Sequence, residues 1–247
     1  AGGDPDGGQP MSALAAPVGQ IEIRERSGEG CVQANDLFCF EWAADNIERY
    51  VEPTIQQAGL VVASVVAGFA IAFCLAVLAH RRRWLRAPFL GFSGVLYTIP
   101  SLAFFLLLLP ITGRGSLTAI IALTAYTLQI IYRNTMAGLA NVPAGAIEAG
   151  RGMGLTERQI LWQVELPLAV PEIVGGLRVA TVSTVALATL AVFAGAGGLG
   201  AQIFLAITFT TNIVIAGGFA VGMALLFDLV LLAAQRWLTP WTRAVSA

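Results

Sequence analysis

An all-α, multi-pass membrane fold is predicted by three observations on this 247-residue chain. Hydrophobic residues make up 57% of it. Charged residues make up only 12%, where a soluble domain carries about a quarter. Four runs free of charge, residues 53–79, 87–113, 116–132 and 179–227, approach or exceed the roughly 20 helical residues that cross a bilayer core. Mean hydropathy is +0.76. Net charge is −1, and all fourteen basic residues are Arg. No global field favours nucleic acid.

The chain opens on residues 1–17, rich in Gly, Pro and Ala, where too little apolar surface exists to order a backbone; disorder is expected. It begins with Ala1, so an upstream signal or anchor segment is compatible with it. Residues 42–51 show helical periodicity. Just before them, Cys31 and Cys39 bracket a short loop. An exported location would let them pair and staple a small cap, with two reduced thiols as the alternative. Residues 1–52 thus form a segment apart from 53–247. Ten of the fifteen acids lie in it.

Five spans are expected, at about 54–79, 88–109, 116–136, 171–194 and 212–235. Pro100 removes a helical hydrogen bond and can kink the second. The last apolar run is too long for one crossing. It should break at Gly195, Gly197, Gly198 and Gly200, and again near residues 208–212, where Thr and Asn disfavour continuous helix. Cys74 reads as a small apolar residue within the first span. Arg178 and Asp228, near the ends of later spans, should snorkel or form an ion pair.

Orientation follows from the arginines, because short cytoplasmic loops keep positive charge. Arg81, Arg82, Arg83 and Arg86 close the first span and should be cytoplasmic. Alternation then places Arg133, Arg151, Arg158, Arg236 and Arg243 inside as well, with the amino end outside and the carboxyl end inside.

Between the third and fourth spans lies a charged loop, residues 141–167. Asn141 can cap a helix that has Pro143 in its first turn and ends near Met153, with Gly154 following as a C-terminal glycine. Thr156 and Gln159 have capping-box spacing for a second short helix, which Pro167 should stop. Ala146, Ala149, Gly150 and Gly154 would give the first helix a surface of small residues that a partner could approach closely.

This loop resembles the cytoplasmic motif of inner-membrane permeases of binding-protein-dependent ABC importers. That motif has Glu-Ala-Ala, a Gly after three intervening residues, and, after nine more, Ile, any residue, Leu and Pro. Here Glu148, Ala149, Gly150, Gly154, Val164, Leu166 and Pro167 stand at those places, with Gly150 where Ala is usual and Val164 where Ile is usual. The resemblance covers about residues 53–243 and implies a type I ABC importer permease fold. It further implies that the motif helix docks in an ATPase subunit and couples ATP hydrolysis to motion of the spans. Implied partners are that ATPase, a second permease chain and an extracytoplasmic substrate-binding protein, in a bacterial inner membrane whose lipid surrounds the spans.

A narrower resemblance points to substrate. YTIPSLAFFLLLLP, containing Tyr97, Pro100 and Phe104, and AVFAGAGGLGAQIF, containing the four break glycines, are similar to the osmoprotectant branch, which imports glycine betaine, choline or carnitine. Quaternary ammonium groups bind aromatic faces. Tyr97, Phe104, Phe105, Tyr126 and Phe193 are the candidates to line a route. An ABC permease for amino acids such as methionine is the first alternative, and an ion-gradient-driven transporter or channel the second.

Enzyme readings fail on inventory. His80 is the sole histidine and no Lys is present, so neither a two-histidine metal site nor a phosphate-cradling Gly-Lys-Ser/Thr loop can be built. No cofactor or metal is implied, and ATP hydrolysis is expected in a separate subunit.

Overall fold

The computed structural model describes residues 29–240. The expected disordered start at residues 1–17, and Arg243, lie outside the described residues. Eleven α-helices occur among the described residues. Helices α1 (Glu29–Ala34) and α2 (Phe40–Asn46) lead through a 3-10 turn, Ile47–Tyr50, into α3 (Val51–Arg81). The path from Phe40 to Arg81 is one helical rod of 42 residues. The expected boundary at residues 52 and 53 therefore lies inside a helix. Pro53 does not interrupt it, because in the first turn a proline's missing N–H costs no hydrogen bond.

After a 3-10 turn, Arg83–Leu85, come α4 (Arg86–Thr98) and α5 (Ser101–Thr112). The turn and α4 together meet α5 at 98°, so the second expected span is broken rather than kinked. Ile99 (ψ 127°) and Pro100 (ψ 130°) both leave helical geometry. A residue before proline is pushed out of the α region, and this one ends the helix.

Helix α6 (Ser116–Ala140) runs along α3 and along α9 (Leu166–Ala188). Its 25 residues span about 37 Å at 1.5 Å per residue. Short helices α7 (Ala144–Gly152) and α8 (Glu157–Ile160) lie between α6 and α9. A 3-10 turn, Thr189–Ala194, then leads to α10 (Leu199–Leu205) and α11 (Thr210–Leu238), which packs on α9. Both expected breaks near 195–200 and 208–212 are present, but the short helix between them had no sequence expectation.

Among the described residues, three helices are long and apolar enough to cross a membrane: Phe40–Arg81, Glu157–Ala194 and Thr210–Leu238. The bent pair adds a fourth if counted as one broken span. The remaining expected span, α6, is long enough but less apolar, because it is enclosed by protein. Its Thr124 donates to the Ser64 carbonyl, and its Gln129 accepts from Ser93 at 2.6 Å.

Lipid tails are as apolar as Leu, so helices here gain little from hiding hydrocarbon and must gain from close contact. The sequence supplies it with small residues. Ala72, Ala76 and Ala79 of α3 are wholly buried against Ile131 and Tyr132 of α6 and Ala180 of α9. At Gly68 a side chain would collide with Thr127 of α6. Arg178 of α9 and Asp228 of α11 form a bidentate pair with both bonds at 2.8 Å.

Candidate functional site

The loop between α6 and α9 folds as a helical hairpin with boundaries shifted from those expected. Asn141 caps the C-terminus of α6 rather than the N-terminus of α7. Pro143 (φ −58°, ψ 130°) occupies the N-cap position, so the helix starts at Ala144 and ends at Gly152. The cause is again proline: Val142 before it is excluded from helical geometry, and the chain must pass through an extended residue first. Gly154 ends the turn in the left-handed region at φ 82°, and its N–H donates to the Arg151 carbonyl at 2.9 Å. Thr156 and Gln159 form a reciprocal capping box: Gln159 Oε1 accepts from the Thr156 N–H at 2.9 Å, and Thr156 Oγ1 accepts from the Gln159 N–H at 3.4 Å.

Pro167 does not stop the second helix. A π-helical turn, Leu161–Glu165, joins α8 to α9, and the path from Glu157 to Ala194 is continuous. A proline in an α-helix clashes with the carbonyl four residues earlier, here that of Gln163. The wider π turn around Gln163 relieves that clash. The hairpin is thus joined to a membrane-length helix without a flexible link.

The motif residues divide by face. Glu148, Ala149 and Gly154 are all exposed. Gly150 is buried, contrary to the expected partner-facing stripe. A Cβ there would meet Ile160 Cγ1 at 3.4 Å and Val164 Cγ2 at 3.7 Å. The two departures from the family pattern, Gly150 and Val164, therefore face each other inside the hairpin. Leu166 packs in a core cluster with Leu139, Leu161 and Ile173.

One ion pair and one histidine–carboxylate contact brace this end of the molecule. Arg151 Nε donates to Glu157 Oε1 at 2.9 Å across the hairpin. Those hydrogen bonds hold the Glu157 carboxyl below the usual carboxylate range and raise the Arg151 guanidinium. A depressed carboxylate favours the folded hairpin above its unfolded pKa and loses that contribution as pH falls through its folded one; the pair is exposed, so solvent screens the effect. His80 Nε2, at the end of α3, lies 2.9 Å from Glu165 Oε2 in the π turn. In the sequence His80 reads only as a solitary histidine, and nothing local singles out Glu165. A cavity of about 620 Å³ opens between the end of α3 and this hairpin.

Within the membrane-spanning part, the break between α4 and α5 gathers three rings. Tyr126 of α6 donates to the Ile99 carbonyl freed by Pro100. Phe104 and Tyr97 stand edge-on to Tyr126, with centroids at 5.8 and 6.0 Å. Phe104 is buried and Tyr97 is 48% exposed. Phe105 lies in the core and Phe193 pairs with Phe204 at 4.7 Å, so neither joins that group.

The glycine-rich break has two causes. Gly195, Gly197 and Gly198 take φ of 78°, 73° and 84°, which side chains disfavour. At Gly200 a Cβ would land on the Thr189 carbonyl. The loop is held by Gln57 of α3, which is wholly buried: its Oε1 accepts from the Leu199 N–H at 2.9 Å and its Nε2 donates to the Val185 carbonyl at 3.2 Å. Two adjacent glutamines, Gln56 and Gln57, at the start of an apolar run were the available sequence signal.

The amino-terminal cap closes the break before α11. Cys31 and Cys39 are disulfide-bonded. Asn35, left-handed at φ 53°, donates to the Thr208 carbonyl at 2.8 Å and accepts from the Thr210 N–H at 2.9 Å. The Cys39 N–H donates to Thr211 Oγ1 at 3.1 Å. Trp42 stands edge-on to Phe209 at 4.7 Å.

Residues 54–244 match the family described as binding-protein-dependent transport system inner membrane component. The choline transport system permease protein OpuBB of Bacillus subtilis (strain 168) is 35% identical over 189 residues, covering 76% of this chain and 87% of that protein. The osmoprotectant import permease protein OsmW of Salmonella typhimurium (strain LT2) is 38% identical over 203 residues, covering 79% and 94%. Among solved structures, the inward-facing MetNI methionine ABC transporter matches with a TM-score of 0.64 at 25% identity, covering 82% of this chain and 99% of that one.

Proposed function

Because the chain belongs to the family of binding-protein-dependent transport system inner membrane components, we propose that it is the permease subunit of an ATP-driven ABC importer for osmoprotectants such as glycine betaine, choline or carnitine. The observation that carries the mechanism is the unbroken path from the α7–α8 hairpin through the π turn into α9. A separate ATPase subunit grips the exposed side of the hairpin at Glu148 and Ala149 of α7 and Gly154 of the turn after it. Displacement of the hairpin moves α9 directly, since no flexible joint absorbs it, and moves α3 through the His80–Glu165 pair.

In this reading the hairpin is cytoplasmic, the disulfide-bonded cap is extracytoplasmic, and the chain forms half of the pathway beside a second permease. An extracytoplasmic binding protein delivers substrate. The half-exposed Tyr97 face and the Gly195–Gly200 break lie along the route, where an aromatic face attracts a quaternary ammonium without gripping it.

Glu148→Arg tests the coupling. The variant should insert and assemble with its ATPase, retain hydrolysis and lose uptake. Normal ATP-driven uptake would remove the docking role. For substrate, competition of uptake in salt-stressed cells by betaine but not by methionine is expected; the reverse would favour the amino-acid reading.

A further inference from the structure

The cavity beside the hairpin carries a charge pattern that coupling does not require. Five arginines, Arg81, Arg83, Arg86, Arg151 and Arg158, line it together with His80 and three glutamates. Most of these charges are committed. Arg151 is bonded to Glu157 and His80 to Glu165. Arg86 is turned back on the end of α3, donating to the Ala79 and His80 carbonyls at 3.3 Å. Arg81, Arg83 and Arg158 have no carboxylate partner among the described residues, and Glu148 is the single uncommitted acid. Three guanidiniums without a carboxylate partner thus line one cavity, from the end of α3, the turn that follows it and the start of α8.

The position of this cavity is as telling as its charge. Arg81 is the last residue of a membrane-length helix, so the opening sits where hydrocarbon gives way to headgroups. Trp84, next to Arg83, is 70% exposed, and Leu90, Phe92 and Val95 continue an exposed apolar surface along α4. Indole rings prefer the headgroup level, and basic pockets at span ends take anionic headgroups.

We propose that this cavity binds a phosphate group, held by Arg81, Arg83 and Arg158, and that an anionic phospholipid of the adjoining leaflet supplies it. Guanidiniums offer planar, paired donors that match phosphate oxygens. The acyl chains extend over Trp84 and the apolar face of α4. Because Glu148 lines the same cavity, a bound phosphate diester places a negative charge beside the motif helix. The site stands independently of the transport reading, since its test measures lipid and not uptake.

The test uses the full chain purified in detergent, titrated with phosphatidylglycerol, with phosphatidylcholine and, in lipid-free micelles, with inorganic phosphate. Phosphatidylglycerol should be retained in preference to phosphatidylcholine. An arginine near a charged membrane surface is worth about fivefold in affinity, so the triple Ser variant at Arg81, Arg83 and Arg158 should bind phosphatidylglycerol about a hundredfold more weakly. Arg82→Ser, in the same basic run but outside the cavity, should bind as the unsubstituted chain does. Saturation by inorganic phosphate alone, lost in the triple variant, would support the phosphate site with a free anion as its source. Equal retention of the two lipids, or an Arg82→Ser loss equal to that of Arg81→Ser, would reduce the effect to diffuse surface charge and overturn the proposal. Loss of ATPase co-purification in the triple variant with lipid retention unchanged would give the arginines to the partner subunit and overturn it equally.

Discussion

His80 and Glu165 meet at 2.9 Å, joining the last turn of α3 to the π turn that leads into α9. One belongs to the end of the first long helix and the other to the root of the α7–α8 hairpin. The contact ties the hairpin to α3 as well as to α9.

Replacing either partner should separate hydrolysis from transport. A hydrogen bond to a charged, largely buried group contributes about 2 kcal/mol. Glu165→Ala and His80→Ala should therefore lower thermal stability modestly, yet cut substrate moved per ATP far more. His80→Gln, which can still donate, should recover part of that ratio. Parallel uptake and ATPase assays in proteoliposomes check this; an unchanged ratio in both alanine variants would make the pair merely structural.

Gly150 and Gly154 should differ in how much the same substitution costs. Gly150→Ala adds a methyl at ordinary contact distance from Ile160 and Val164 and should cost under about 1 kcal/mol. Gly154→Ala forces an L-residue to φ 82°, at a cost of about 1–2 kcal/mol. Gly154→Asn should be milder, since Asn tolerates that region. Thermal unfolding of the three purified variants ranks them.

Gln57→Leu removes the acceptor of the Leu199 N–H and leaves that donor buried. An unsatisfied buried amide costs about 1–3 kcal/mol. The protein should still insert, but the Gly195–Gly200 loop should become accessible to cysteine labelling and uptake should fall. Unchanged labelling at Ala196→Cys in the presence and absence of Gln57 would show that the loop does not depend on this clamp.

Breaking the Cys31–Cys39 bond should loosen the cap rather than the bundle. A disulfide closing so short a loop restricts the unfolded chain by roughly 2–3 kcal/mol. The Cys31→Ser, Cys39→Ser variant should show faster hydrogen exchange at Thr210 and Thr211, whose contacts with Asn35 and Cys39 hold the start of α11. Exchange at Ala72 and Ala76 should stay unchanged.

Membrane class, the positions of the long helices, the glycine break and the helical hairpin with its capping box are legible in the sequence alone. Each rests on a local cause: hydrocarbon length against bilayer thickness, glycine's access to positive φ, or a side chain reaching three residues along its own backbone. The tertiary structure decided what depends on residues far apart in the chain. Pro167 reads locally as a helix stop, yet a π turn carries the helix past it. Gly150 reads as part of an outward stripe, yet it faces Val164. Gln57 and Glu165 acquire roles only when Leu199 and His80 are folded against them. Periodicity specifies which residues can share a helix face; only packing specifies what that face meets.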